Sequence, residues 1–84
     1  MNFKTNDLAM VAVLKYEGHK PIAMGHEMED GRPICYWTFA VENTRLEETV
    51  AAFKARKLTV EPIRFSTLFG DTKTEMYNDR RRHR

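Results

Sequence analysis

The side chains richest in chemical potential sit together mid-chain, in His26-Glu27-Met28-Glu29-Asp30, followed by the single cysteine, Cys35. Imidazole, thiolate and carboxylate are the common ligands of zinc, and a thiol beside an imidazole is the common activated nucleophile. Strand geometry decides whether these groups can act together. Asp30-Gly31 is a strong hairpin signal, because both central positions of the favoured two-residue turn need positive φ. Taking these two residues as the turn sets Glu29 opposite Arg32, Met28 opposite Pro33, Glu27 opposite Ile34, His26 opposite Cys35, Gly25 opposite Tyr36, Met24 opposite Trp37 and Ile22 opposite Phe39.

Side chains alternate between the faces of a strand, so His26 and Cys35 share one face while Glu27 and Glu29 take the other. Asp30 is committed to the turn. Two ligands fall short of the three or four that a divalent ion requires, so neither a metal nor a cofactor is expected. Cys35 falls on the apolar face with no orienting third group, and it reads as a small core residue rather than a nucleophile. The glycines are scattered singly, and no phosphate loop or dinucleotide fingerprint occurs. The expectation is a protein that is not an enzyme and has no catalytic residues.

One polar segment has no folding role on this reading. Arg80, Arg81, Arg82, His83 and Arg84 end the chain, and they reverse its sign. Before them, six lysines and four arginines face twelve carboxylates, a net charge of −2, and the four arginines bring the whole to +2. An arginine run can track phosphates or dock on an acidic protein surface. Lys57 and Arg64 are candidates to extend the same basic surface. These seven residues form the candidate site for nucleic acid, a nucleoprotein or a protein partner.

The elements that must position them follow from caps and periodicity. Thr5 or Asn6 can cap a first helix carrying Asp7 in its first turn and running to about Glu17, where Gly18 takes the left-handed conformation. Its middle, Leu8 to Leu14, is apolar nearly all round, which makes it the central helix. The hairpin follows, with Ile22, Met24, His26, Met28, Cys35, Trp37 and Phe39 on one face and Tyr36 on the other, beside Ile34 and Thr38. Thr44 and Glu47 have the spacing of a capping box, and Leu46, Val50 and Phe53 make the inner stripe of a second helix. Lys54, Arg56 and Lys57 suit its last turn. Pro62 opens a third helix, with a stripe at Phe65, Leu68, Phe69, Thr72 and Met76, ending between Met76 and Asp79. The fold class is α+β in the order α-β-β-α-α: a two-stranded antiparallel hairpin against three helices. Residues 1–79 form one small domain and residues 80–84 a basic tail.

The opening Phe3-x-Thr5-x-Asp7-Leu8, the apolar helix closed by Gly18-His19, the hairpin ending at Phe39 and the helix carrying Phe53 together resemble a small bacterial and phage domain family of unknown function. The resemblance spans about residues 3 to 77. It implies a compact α+β domain of prokaryotic or phage origin, and it carries over no site residues.

Eighty-four residues leave room for one domain. A single cysteine suits a reducing compartment, so the expected location is the cytoplasm of a bacterial cell. The longest apolar run, Leu8 to Leu14, is far below the roughly 20 residues a membrane-crossing helix needs, and no association with membrane is expected. Two binding functions fit. One is engagement of nucleic acid or a nucleoprotein by the basic tail; the other is a phage-encoded inhibitor or adaptor that blocks a host defence complex by protein contact, in the manner of an anti-CRISPR protein. A hairpin also has free edges, with which a second copy can pair as a homodimer.

Overall fold

The computed structural model describes residues 2–41 and 44–82, with the side chains of Thr44 and Arg80–Arg82 excepted. Its elements are β1 (Asn2–Thr5), α1 (Leu8–Tyr16), β2 (Pro21–Glu29), β3 (Arg32–Ala40), α2 (Thr44–Lys54) and α3 (Pro62–Arg82). The class is α+β, as expected, with three helices. The sheet has three strands in the order β1-β3-β2 rather than two, and the element order is β-α-β-β-α-α. Residues Asn2–Thr5 read as a lead-in to the first helix, yet they pair antiparallel with β3, Phe3 opposite Phe39 and Thr5 opposite Trp37. Four residues with no turn signal carry little strand signature, and their partner lies far along the chain.

The Asp30-Gly31 turn forms with φ of 51° and 78°. Six of the expected pairs, from Glu29↔Arg32 to Met24↔Trp37, are present. Ile22 departs from its expected place: Pro21 stands opposite Phe39 and Ala23 opposite Thr38, so Ile22 is the extra residue of a bulge.

Cys35, Trp37 and Phe39 of β3 are buried against Met10, Val11 and Leu14 of α1 and Leu46 of α2. Met10 through Leu14 are buried without exception, which is why that stretch is apolar on every side. Asp7 is the α1 N-cap, one or two residues later than expected, and its carboxylate accepts from the N–H groups of Ala9 and Met10. Thr5 instead accepts from the Asp7 N–H. Gly18, at φ 93°, closes the helix as its N–H reaches the Lys15 carbonyl and the His19 N–H the Leu14 carbonyl.

Helix α2 stops at Lys54, so Arg56 and Lys57 lie beyond its last turn rather than in it. Arg56 takes the place that Gly18 holds in α1: its φ is 58°, its N–H bonds the Phe53 carbonyl, and the Lys57 N–H bonds the Ala52 carbonyl. The expected capping-box contact between Glu47 and Thr44 falls outside the described side chains.

Pro62 opens α3, as expected. Its cap is Glu61, whose carboxylate accepts from the N–H groups of Ile63 and Arg64 and lies below the usual glutamate range because of those two bonds. Phe65, Leu68, Phe69, Thr72 and Met76 form its inner stripe, with Thr72 fully buried. The helix passes the expected end and continues through Arg82.

Candidate functional site

On the inner face of α3, three polar residues follow the apolar stripe at helical spacing: Thr72, Glu75 and Asp79. The Lys15 ammonium of α1 donates to Glu75 Oε1 at 2.5 Å and Oε2 at 2.9 Å, and to Thr72 Oγ1 at 3.1 Å. Thr72 donates in turn to the Leu68 carbonyl at 2.8 Å. The Trp37 indole N–H reaches the same Glu75 oxygen at 3.3 Å. One carboxylate thereby joins α1, β3 and α3.

A turn further on, Asp79 Oδ2 lies 3.7 Å from His26 Nδ1 and 3.9 Å from Cys35 Sγ. Asp79 is the third group that the hairpin alone did not supply. Its placement differs from a nucleophile relay, in which the acid orients the imidazole and the imidazole takes the proton from the thiol. Here the carboxylate touches the thiol itself, which disfavours a second negative charge, and Cys35 is only 5% exposed. Among the described residues, no three His, Cys, Asp or Glu side chains converge as a metal site.

On the outer face of the sheet, the Tyr36 hydroxyl donates to Glu29 Oε1 at 2.5 Å, and the Lys4 ammonium lies 4.6 Å from the Tyr36 ring centre while pairing with Glu27. The bond to Glu29 raises the phenol above its ordinary value, with smaller contributions from desolvation and from the charges of Glu29 and Glu27.

The basic residues expected to act together fall into two groups. Arg64 lies in the first turn of α3, its guanidinium 4.7 Å from the Tyr16 ring centre and its Nη2 donating to the Tyr16 carbonyl at 3.4 Å. The Glu61 N–H donates to the Tyr16 hydroxyl at 2.9 Å, so Arg64 and Glu61 together fasten the start of α3 to the end of α1. Lys57 is exposed in the connector between α2 and α3. The backbone of Arg80–Arg82 forms the opposite end of α3, about 24 Å away along a helix that rises about 1.5 Å per residue. His83 and Arg84 lie outside the described residues.

Sequence reasoning missed the Lys15–Glu75 pair and the place of Asp79 beside His26 and Cys35. A signal existed: Glu75 and Asp79 stand three and seven positions after Thr72, on the face already assigned inward by the stripe. Lys15, immediately after an all-apolar run, is the cation such a face requires. No protein-family model, no curated protein and no solved structure matches this chain.

Proposed function

We propose that this is a non-enzymatic binding protein that engages nucleic acid or a nucleoprotein through the basic carboxy-terminal end of α3, in a bacterial cytoplasm. The observation that carries the reading is the unbroken run of α3 from Pro62 to Arg82. Three arginines occupy the last turn of a helix whose preceding turns are tied to the body by Thr72, Glu75 and Asp79. A basic segment that is already helical avoids much of the ordering cost, about 1–2 kcal/mol per residue, that a disordered tail meets when it binds.

Charge segregation adds to this. The chain before Arg80 carries −2, so attraction for phosphate is concentrated at one end, and repulsion from the body favours end-on approach. Cations at a helix carboxy terminus also offset the partial negative charge there, which helps hold the last turn. Arg64 stands about 24 Å distant along α3, so on this reading it takes no part in the same contact.

Binding is tested by titrating fluorescent single- and double-stranded DNA and RNA with the full chain and with a chain ending at Asp79. Affinity that falls steeply with salt and is lost on truncation is the expected result. Equal binding by both chains, or none at low salt, overturns it.

A second reading, a protein-directed inhibitor or adaptor acting on a host defence complex, has its own observation. Ile22 and Met28 of β2 are 59% and 63% exposed, apolar surface of the kind that seats a protein partner. Recovery of one stoichiometric protein from nuclease-treated host lysate is its expected result, and recovery of nucleic acid alone excludes it.

A further inference from the structure

The free edge of β2 has a pattern that fits a second copy of itself. In the sheet order β1-β3-β2, β2 has β3 on one side and, among the described residues, no strand on the other. Glu29 and Arg32 flank a two-residue turn and therefore exchange both backbone bonds, and bonded and non-bonded pairs alternate from there. Glu27, Gly25 and Ala23 direct their peptide groups to β3. Met28, His26 and Met24 direct theirs to the open side. Pro33 agrees with this phase, since it lacks an N–H and stands opposite Met28, where none is needed.

The side chains on this strand are also incompletely covered. Met24 and Met28 share the face of Cys35 and Trp37, yet they are 36% and 63% exposed while Cys35 and Trp37 are buried. The helices cover β3 and leave β2 with apolar residues facing inward and only partly screened. Pro21 and the bulge at Ile22 end the regular edge, leaving Ala23–Glu29, whose midpoint is His26.

We propose that two copies of the chain join β2 to β2 in antiparallel register centred on His26, making one continuous six-stranded sheet. That register sets Met24 opposite Met28 of the second copy, and the reverse, so that every outward peptide group of Met24, His26 and Met28 is bonded. On the outer face Glu27 meets Gly25 and Glu29 meets Ala23, so no carboxylates oppose one another. Centring the pair on Glu27 opposes two carboxylates, which is destabilising. Centring it on Gly25 leaves Met28 facing the bulge at Ile22. Shifts by an odd number of positions set outward peptide groups against inward ones. His26 keeps Asp79 and Cys35 as neighbours within its own copy.

Sedimentation equilibrium of the full chain, freed of nucleic acid, tests this independently of any role for the arginines. The expected mass is twice the chain's 9.9 kDa. Met28→Pro removes an outward N–H without breaking a bond to β3, and Met24→Lys/Met28→Lys sets lysines against lysines across the axis. Both variants are expected to sediment as folded monomers, with circular dichroism matching the parent. A parent chain that stays monomeric at its highest soluble concentration overturns the proposal. A dimer that both folded variants preserve overturns it as well, and so does a monomer that uses these methionines to hold a different protein.

Discussion

Lys15 and Glu75 are sixty residues apart in sequence, yet their charged groups meet at 2.5 Å between α1 and α3, with the Trp37 indole on the same carboxylate. The Lys15 side chain is 14% exposed and that of Glu75 37%, so neither charge is fully compensated by water. This contact, with Thr72 beside it, is a polar tie between the long helix and the body.

Removing one partner of that tie is expected to cost more than removing both. Glu75→Leu strands a largely buried ammonium and an indole N–H, at about 2–3 kcal/mol. Lys15→Met/Glu75→Leu substitutes an apolar contact and should recover at least about 1 kcal/mol of that loss. Urea midpoints for the single and double variants supply the double-mutant cycle, and strict additivity would contradict the tie.

Arg56 is expected to be a site where glycine stabilises. It holds φ 58° at the end of α2, in the position that Gly18 fills at the end of α1. A side chain in that region costs about 1–2 kcal/mol, partly offset by the greater chain entropy of glycine when unfolded. Arg56→Gly should raise stability by roughly 1 kcal/mol, read as a higher urea midpoint with unchanged slope.

Stability should fall in acid partly through Glu61. Its carboxyl is held below the ordinary value by the N–H groups of Arg64 and Ile63. A lowered value means that this contribution is complete above the unfolded-state value and is lost as pH falls through the folded one. Glu61→Gln should therefore flatten the stability profile between about pH 5 and pH 3, measured by melting temperature at each pH.

In alkali the sign reverses for Tyr36. Its phenol is raised chiefly by donation to Glu29. That contribution is whole below the ordinary tyrosine value of about 10 and disappears as pH rises through the elevated one. Glu29→Gln should bring the Tyr36 midpoint down toward the ordinary value, followed by the chemical shift of its ring carbons.

How far the sequence reaches depends on how local each signal is. The six hairpin pairs from Glu29↔Arg32 to Met24↔Trp37 were legible because one turn dipeptide and one alternation determine them together. Gly18 and Pro62 were legible for the same reason. Strand β1 was not, because Phe3 gains strand character only from Phe39, which lies beyond the central helix in the far strand of the hairpin. Arg56 was invisible as a helix end, since nothing in an arginine announces positive φ. The basic residues were read as one surface because charge can be counted without geometry. The length of α3 separates Arg64 from Arg80, and that length was underestimated when the arginines were taken to lie beyond the helix.

On the proposed function the helical arginines bind phosphate, and Arg80→Gln/Arg81→Gln/Arg82→Gln isolates their part, because glutamine keeps the helix while removing the charge. Fluorescence anisotropy with a labelled oligonucleotide, read between about 50 and 200 mM salt, should show the parent losing affinity steeply and the triple variant binding at least about tenfold more weakly with a shallower salt slope. Equal affinity and equal slope for the two proteins would show that these arginines do not carry the binding.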